Sequence, residues 1–350
     1  MRNLCQSSYF YDDNGEWEKI LSDLEYSQSK VIKKIVNQQN FGDINRDSYL
    51  DLLLFLLLQH ARTKKMQETA DQFIKEFSQS VSEYNLETIE TDNLEKTDLI
   101  ADRFPRSQFL AMGPAMVGVD LIKDLFPVLL VNNTHVNFIT SDAPVVLYNY
   151  VKLKKRMLVG LQSPGLQICC PLNEKLSLLM FDPKFYEVSS DSDHIILIEN
   201  TSDIDAINKL QLFNCSHSIV YRDKDELSYI KTLHQSIKKN IEETRLQANF
   251  TDTRRLKNDS QSDIIQSTIP SIDYTLKLSF LKLNHKSNKS FKSMAKRKLK
   301  DNPYMIFLRD KNVAEIVGKR FKAMNSETQE KLSESELFPG YKLKVVSTFM

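Results

Sequence analysis

The pattern of apolar and polar positions changes near Val128, and the change divides the chain into two kinds of secondary structure. Within residues 15–126, apolar residues recur every three or four positions, which is typical of helices that pack by one face. Within residues 128–222, short β-branched and apolar runs alternate with turn residues, which predicts strands. We therefore expect an α+β protein in which a helical N-terminal half packs on a mixed β-sheet.

Helical spacing is clearest in three segments of the first half. Trp17 to Val36 is amphipathic, Ser48 to Arg62 is apolar on almost every side, and a third helix is predicted from Lys65 to about Tyr84. A helix without a polar face is typical of the centre of a domain. We therefore predict near-complete burial of three of its leucines, Leu53, Leu54 and Leu57. A further helical stretch around Met112 is expected to end before Pro127.

Strand-like segments and two later helices complete a first domain, for which we predict the bounds 1–247. The strands are predicted at 128–131, 137–148, 166–170, 176–181, 194–198 and 219–221. A capped helix at 203–214 and a long amphipathic helix at 223–247 accompany them. The polar segment 248–271 is typical of a linker. Residues 272–350 then form a small basic C-terminal module.

The predicted strand around Asp142 is interrupted once and then resumes. Val136 to Thr140 largely alternate as a strand does, Ser141 and Asp142 break the run, and Pro144 removes a backbone donor before the apolar run returns. A carboxylate at such a break could bind a metal or act as a base. The alternative is structural, because Ser and Asp side chains commonly accept backbone N–H groups at bends.

A guanidinium and an amide lie one turn apart at the end of the apolar helix. Arg62 and Gln59 share a helical face and together could bind phosphate or carboxylate. The alternative is that Arg62 stabilises the helix C-terminus and pairs with an internal acid such as Asp142. We expect the side chains of Arg62 and Asp142 to lie near each other. His60 is interpreted as a packed imidazole rather than a ligand.

A metal-dependent nuclease would need acidic side chains on two strands, with a lysine beside the second acid. Asp142 and the segment Asp182-Pro183-Lys184 fit this arrangement loosely, with Mg²⁺ as the ion, although a proline there more often marks a turn. The sequence has no phosphate-binding loop, nucleophile elbow, dinucleotide fingerprint or zinc-protease motif. The candidate catalytic residues are thus Asp142, Arg62 and Gln59, and the candidate metal ligands are Asp142 and Asp182.

Cations are concentrated between Lys282 and Lys300, where no Asp or Glu occurs. The candidate nucleic-acid contacts are Lys289, Lys292, Lys296, Arg297 and Lys298. Such a basic segment can bind the phosphate backbone electrostatically. The alternative is a solvated, mobile loop, because charge runs are common on protein surfaces.

The whole chain carries little net charge, with 47 Lys and Arg against 46 Asp and Glu in 350 residues. No global field therefore predicts a nucleic acid or a membrane. The four cysteines lack metal-ligand spacing and are interpreted as reduced thiols. We see no secretory leader, and the longest apolar run is too short to span a bilayer. We expect a cytoplasmic protein without a membrane partner.

Several short segments of the chain resemble, in their residues and in their order, segments of a known family. They are Tyr9-Phe10-Tyr11, Gln59-His60-Ala61-Arg62-Thr63, Thr140-Ser141-Asp142-Ala143-Pro144, Cys170-Pro171-Leu172 and Ser218-Ile219-Val220-Tyr221. These segments resemble the bacterial domain of unknown function 4238 family. The chain departs from it in two places: no His-x-Val-Pro-x-x-Tyr-Leu segment precedes Met1, and Lys64 stands where the family often has proline. The resemblance implies no established activity.

Two classes of function stay open. One is an enzyme, such as a metal-dependent nuclease or another phosphoester hydrolase with a role in bacterial defence. The other is a non-catalytic nucleic-acid-binding or regulatory protein that uses the segment from Lys282 to Lys300. A second acid within metal-bridging distance of Asp142 would favour the enzyme.

Overall fold

A mixed five-stranded sheet forms the centre of the protein in a computed structural model of the chain. The structure describes residues 16–42, 44–71, 112, 115–151, 160–188, 194–248, 252–254, 264–266, 274–301, 305–323 and 344–347. Helices cover the sheet on both faces, and the predicted α+β class with a mixed sheet is confirmed.

Six longer helices and thirteen short strands lie within the described residues. The helices are α1 (Glu16–Gln38), α2 (Arg46–Ala61), α3 (Thr201–Asn214), α4 (Leu227–Ala248), α5 (His285–Asp301) and α6 (Lys311–Ala323). Residues 64–71 are also helical, and the rest of the predicted third helix lies outside the described residues. The strands are β1 (Phe126–Asn132), β2 (Thr140–Ser141), β3 (Val146–Asn149), β4 (Leu166–Pro171), β5 (Leu176–Phe181), β6 (Tyr186–Val188), β7 (Ile195–Ile198), β8 (Ile219–Val220), β9 (Asp252–Arg254), β10 (Ile264–Gln266), β11 (Leu281–Leu283), β12 (Met305–Leu308) and β13 (Lys344–Ser347).

The central sheet has the strand order β3-β4-β5-β1-β7. Only the β1–β7 pair is parallel, and the other neighbours are antiparallel. Strands β4 and β5 are joined by a tight turn, in which Asn173 Oδ1 accepts the N–H groups of Lys175 and Leu176, each at 2.8 Å. Every residue of these two strands is buried. Burial at every position is expected where both faces of a sheet are covered.

Each face of the sheet has its own hydrophobic core, because successive strand residues point to opposite sides. In β4, Ile168 and Cys170 face α1 and α2, whereas Cys169 faces α3 and the C-terminal segment. Within α2, the burial predicted for Leu53 and Leu57 is confirmed, whereas Leu54 is only partly buried. The helical half therefore packs on one face of the sheet, as the sequence predicts.

Residues 274–301 and 305–309 pack on the opposite face of the same sheet. Strand β11 pairs with β6, and the Tyr148 hydroxyl both donates to the carbonyl of Tyr274 at 2.8 Å and accepts the N–H of Leu276 at 2.9 Å. Phe291 of α5 belongs to the core on this face. The bounds of a linker at 248–271 and of a module at 272–350 stay predictions, but residues 274–301 and 305–309 share their core with the sheet. No helix within the described ranges is long and apolar enough to cross a membrane.

Candidate functional site

Asp142 lies at the break between β2 and β3, and backbone amides bind its carboxylate. Oδ1 accepts the N–H of Ser216 at 3.0 Å, and Oδ2 accepts the N–H of His217 at 2.8 Å. The N–H of Asp142 in turn donates to the carbonyl of Ser218 at 3.0 Å. Only 8% of the Asp142 side chain is exposed. This carboxylate therefore fastens the break to the loop that follows α3, which matches the structural alternative.

Two amide side chains of α3 hold the other side of the same break. Asn214 Nδ2 donates to the carbonyl of Ala143 at 2.7 Å. Gln211 Nε2 donates to the carbonyl of Pro144 at 2.9 Å, and Gln211 Oε1 accepts the hydroxyl of Ser141 at 3.1 Å. Irregular backbone can be buried only when its polar groups are satisfied in this way. The break that the sequence predicts is thus a well-satisfied structural joint.

His60 brings the end of α2 to this joint. Its Nδ1 lies 3.3 Å from the carbonyl of Val145. Burial lowers the pKa of His60 below its ordinary value, although the hydrogen bond with Val145 acts in the opposite direction. Beyond α2, Lys65 Nζ donates to Asn214 Oδ1 at 2.9 Å. His60 is therefore a partly buried, packed imidazole, and it helps to join the helical half to the sheet.

His217 lies beside Asp142, a contact that sequence reasoning missed. Its Nδ1 lies 3.5 Å from Asp142 Oδ2, and its Nε2 lies 3.7 Å from Glu68 Oε1. Asp142 thus faces an imidazole, where a two-metal or metal-bridging site would need a second carboxylate. Asp142 and His217 are far apart in sequence. The one sequence feature that could have pointed to this contact was the segment beginning at Ser218, which resembles the family.

Arg62 and Gln59 lie at the end of α2, as expected. Arg62 forms an ion pair with Glu25 of α1, whereas Asp142 binds the amides described above. Arg62 and Asp142 therefore each bind a partner other than the one expected, which was the other residue of this pair. Gln59 is partly buried. A catalytic role for Arg62 and Gln59 stays a prediction.

Asp182 follows β5 and is fully buried. Its Oδ2 accepts the N–H of Gly165 at 2.9 Å, and its Oδ1 accepts the N–H of Lys184 at 3.0 Å. Burial raises the pKa of this carboxyl above its ordinary value, while the two amides and nearby Arg309 act in the opposite direction. The segment Asp182-Pro183-Lys184 therefore forms a turn that its own carboxylate stabilises.

The role of Asp142 and Asp182 as metal ligands stays a prediction. Across the residues described above, no three His, Cys, Asp or Glu side chains are close enough to hold a metal ion. Each of the two carboxylates already accepts two backbone amides. Mg²⁺ prefers several oxygen ligands in octahedral geometry. This donor set does not fit a Mg²⁺ ion.

Arg309 is a fully buried cation that sequence reasoning also missed. Its Nε donates to Asp124 Oδ2 at 2.6 Å, and its Nη2 donates to Asp124 Oδ1 at 2.9 Å. The guanidinium also donates to the carbonyls of Leu121, Leu161 and Ser163, at 2.8, 3.1 and 3.1 Å. Arg309 therefore fastens the C-terminal segment to two loops near the sheet, and its role is structural.

The basic segment forms the helix α5, and it is not the mobile loop considered as the alternative. Asn284 caps the helix by accepting the N–H of Ser287 at 2.9 Å. Phe291 and Ala295 are buried in the core on the α3 face of the sheet. Phe291 makes edge-to-face contacts with Phe185 and Phe307, with ring centroids 5.6 and 5.7 Å apart. One side of α5 is therefore fixed to the protein.

The outward side of α5 is a stripe of cations. With 3.6 residues per turn, five of them fall within an arc of roughly 100°, opposite Phe291 and Ala295. These five exposed residues are Lys286, Lys289, Lys296, Arg297 and Lys300. We call them the basic face of α5. Lys292 lies beside this face, whereas Lys298 lies close to Phe291 on the opposite side of the helix, and both are only partly exposed. Three of the five candidate nucleic-acid contacts thus point outward, Lys292 lies at the side, and Lys298 lies towards the buried side.

Comparison with known families places most of this architecture in one of them. A family model described as "Protein of unknown function (DUF4238)" matches residues 1–225. The match contains the Asp142 joint with its partners Ser216 and His217, whereas α5 lies outside it. No curated protein and no solved structure matches the chain.

Proposed function

We propose that this chain, which belongs to the DUF4238 family of proteins of unknown function, binds nucleic acid through the basic face of α5. The observation that carries the proposal is the one-sided arrangement of the cations. They lie opposite the buried residues of a helix that is fixed to the core. A rigid row of cations can neutralise successive phosphates and release their counterions.

The like charges of α5 repel one another and destabilise the helix. Lys289 and Lys292, Lys292 and Lys296, and Lys296 and Lys300 are neighbours at three- or four-residue spacing. Like charges at this spacing destabilise a helix by roughly 0.2–0.5 kcal/mol per pair. In the described part of the chain, none of these cations pairs with a carboxylate. Contact with a polyanion would relieve this repulsion, which supports a binding role.

The composition of the basic face favours backbone contacts over base recognition. Aromatic platforms on which bases could stack are typical of single-strand binding proteins. The one aromatic residue of α5, Phe291, is buried against the core. We therefore propose contacts to phosphates, without sequence preference and with duplex at least as good a ligand as single strands.

The alternative function, a phosphoester hydrolase activity, has weaker support than nucleic-acid binding. Asp142 and Asp182 both accept backbone amides, and neither belongs to a metal-ligand cluster among the described residues. A nucleic-acid partner agrees with a cytoplasmic location in a bacterial cell, which is part of the proposal. The buried free thiols of Cys169 and Cys170 also suit a reducing compartment.

The test compares two triple variants with the same change of charge. The first carries Lys289→Gln, Lys296→Gln and Arg297→Gln on the basic face. The control carries Lys19→Gln, Lys33→Gln and Lys231→Gln, three exposed lysines on α1 and α4. Fluorescence anisotropy with a labelled mixed-sequence duplex at low salt measures the affinity of each.

The proposal predicts that the basic-face variant loses about tenfold or more in affinity. The affinity of the control variant should stay within about threefold of that of the wild type, because its substitutions change only the overall electrostatic field of the protein. Equal losses in the two variants would place the contact elsewhere and contradict the proposal. Circular dichroism should show that both variants keep the wild-type helix content, since exposed charges contribute little stability.

A further inference from the structure

Ser293 lies at the centre of the basic face of α5. With 3.6 residues per turn, it falls opposite the buried side of the helix, within about 10° of the middle of the cationic arc. The residue is exposed. Lys289 and Arg297 lie one turn away on either side of it, and Lys296 is its neighbour at three-residue spacing. The cations of the basic face therefore lie around one short, neutral side chain.

The hydroxyl of Ser293 is available to a ligand, because it has no hydrogen-bond partner among the described residues. Serine and threonine hydroxyls inside helices often donate to a carbonyl of the preceding turn. Hydroxyls in α1 and α4 form such bonds at 3.0, 2.9, 3.0 and 2.6 Å, and they belong to Ser27, Ser29, Thr232 and Ser236. Since Ser293 makes no bond of this kind, its hydroxyl can donate to a group outside the chain.

The side chains around Ser293 differ in length, and the difference suits a phosphate. Serine ends close to the helix surface, whereas lysine and arginine carry their charges on long, flexible stems. A phosphate that accepts the Ser293 hydroxyl would therefore lie between the charged ends of Lys289 and Arg297, which can donate to its other oxygens. Serine hydroxyls are among the groups that commonly contact the phosphates of nucleic acids.

We propose that the hydroxyl of Ser293 donates a hydrogen bond to one backbone phosphate of the bound nucleic acid, and that Lys289 and Arg297 flank this phosphate. The inference rests on the proposed function and adds a directional contact to it. Counterion release alone requires no particular position of the phosphates. The Ser293 contact fixes one of them, and it thereby sets the register of the phosphate backbone along α5.

The test compares three single variants of the full chain by fluorescence anisotropy with a labelled mixed-sequence duplex. Ser293→Ala removes the hydroxyl and should weaken binding about fivefold. Ser293→Thr keeps a hydroxyl, and its affinity should stay within about twofold of that of the wild type. Ser290→Ala is the matched control, because Ser290 is exposed on the same helix but lies outside the cationic arc. Alanine favours a helix more than serine does, so both alanine variants should keep α5 folded.

The salt dependence of binding separates this contact from those of the cations. A hydroxyl carries no charge and releases no counterion. Ser293→Ala should therefore lower the affinity by the same factor at every salt concentration and leave the slope of log affinity against log salt unchanged. A flatter slope in this variant would show that a charged contact was lost, and it would overturn the proposal.

The remaining outcomes distinguish the Ser293 contact from the proposed function itself. If the wild type binds duplex but Ser293→Ala and Ser290→Ala have equal affinities, the Ser293 contact is wrong and nucleic-acid binding stands. A loss in Ser293→Ala that Ser293→Thr shares in full would also overturn the contact, because the hydroxyl would not be its cause. Absence of duplex binding by the wild type would overturn both.

Discussion

The carboxylate of Asp142 accepts the backbone N–H of His217 at 2.8 Å, although the two residues are 75 positions apart. A second bond, from the N–H of Ser216, completes the contact at 3.0 Å. These bonds fix the segment between β2 and β3 against the loop after α3. Asp142 therefore acts mainly on the fold, and the proposed function rests on a different surface.

Replacing Asp142 with Asn should destabilise the protein. Asparagine keeps the size, but its NH₂ group would face one of the two amide donors, and the charge that strengthens both bonds is lost. We expect the free energy of unfolding to fall by about 1–3 kcal/mol in a urea titration. Asp120→Asn is the control, because Asp120 forms an exposed surface pair with Lys123. An unfolding midpoint like that of the wild type would mean that the two amide bonds contribute little.

The same Asp142→Asn protein tests the metal hypothesis. Ligand linkage requires a real Mg²⁺ or Mn²⁺ site to raise the melting temperature of the wild type. Because the donor set does not fit such an ion, we expect no shift in either protein at millimolar metal. A shift that appears in the wild type and disappears in the variant would restore Asp142 as a metal ligand.

Leu53 lies in the middle of α2 and is fully buried. Leu53→Ala should therefore lower the free energy of unfolding by about 2–5 kcal/mol, through lost burial and the cavity left behind. Leu50, on the same helix, is 37% exposed, and Leu50→Ala should cost less than about 1 kcal/mol. Similar losses at the two positions would indicate that the exposed side of α2 is covered in solution.

His60 should make the stability depend on pH. Burial lowers its pKa below 6.5, so the folded protein binds this proton more weakly than the unfolded chain does. Its contribution is complete above pH 6.5 and is lost as the pH falls from there towards the folded pKa, with a limiting slope of about 1.4 kcal/mol per pH unit. Denaturant unfolding at several pH values should show a shallower slope for His60→Gln, whereas exposed His135→Gln should resemble the wild type.

Arg309, which is fully buried, pairs with the partly exposed Asp124 and joins distant parts of the chain. Arg309→Met removes the guanidinium and leaves Asp124 and three backbone carbonyls without it. The expected loss is about 3–5 kcal/mol in the free energy of unfolding. Lys123→Met, on the exposed Asp120–Lys123 pair, should leave the unfolding midpoint unchanged. A small effect at Arg309 would mean that water replaces its hydrogen bonds.

The sequence predicted what depends on local spacing. The burial of Leu53 follows from the apolar run of α2, and the bend at Asp142 follows from Ser141 and Pro144 within one short segment. The class of fold follows in the same way, because helical and strand-like spacing occupy different parts of the chain. Each of these properties is set by neighbours within a few positions.

The sequence could not predict contacts between distant segments. Asp142 meets His217 across 75 positions, and Arg309 meets Asp124 across 185. Such pairings depend on how the elements pack, for which a single sequence carries no local signal. Helix α5 was also ambiguous, because the apolar residues that anchor it, Phe291, Met294, Ala295 and Leu299, are scattered among many cations. The burial of one side of α5 can be recognised only when the sheet on which the helix packs is known.

The most direct measurement for the central claim is the salt dependence of duplex binding. Each phosphate that a cation neutralises should contribute about −0.9 to the slope of log affinity against log salt, so five cations give at most about −4.5. The variant with Lys289→Gln, Lys296→Gln and Arg297→Gln should lose roughly three such contributions. A slope that this variant leaves unchanged, or the absence of salt-sensitive binding near about 50 mM salt, would contradict nucleic-acid binding by the basic face of α5.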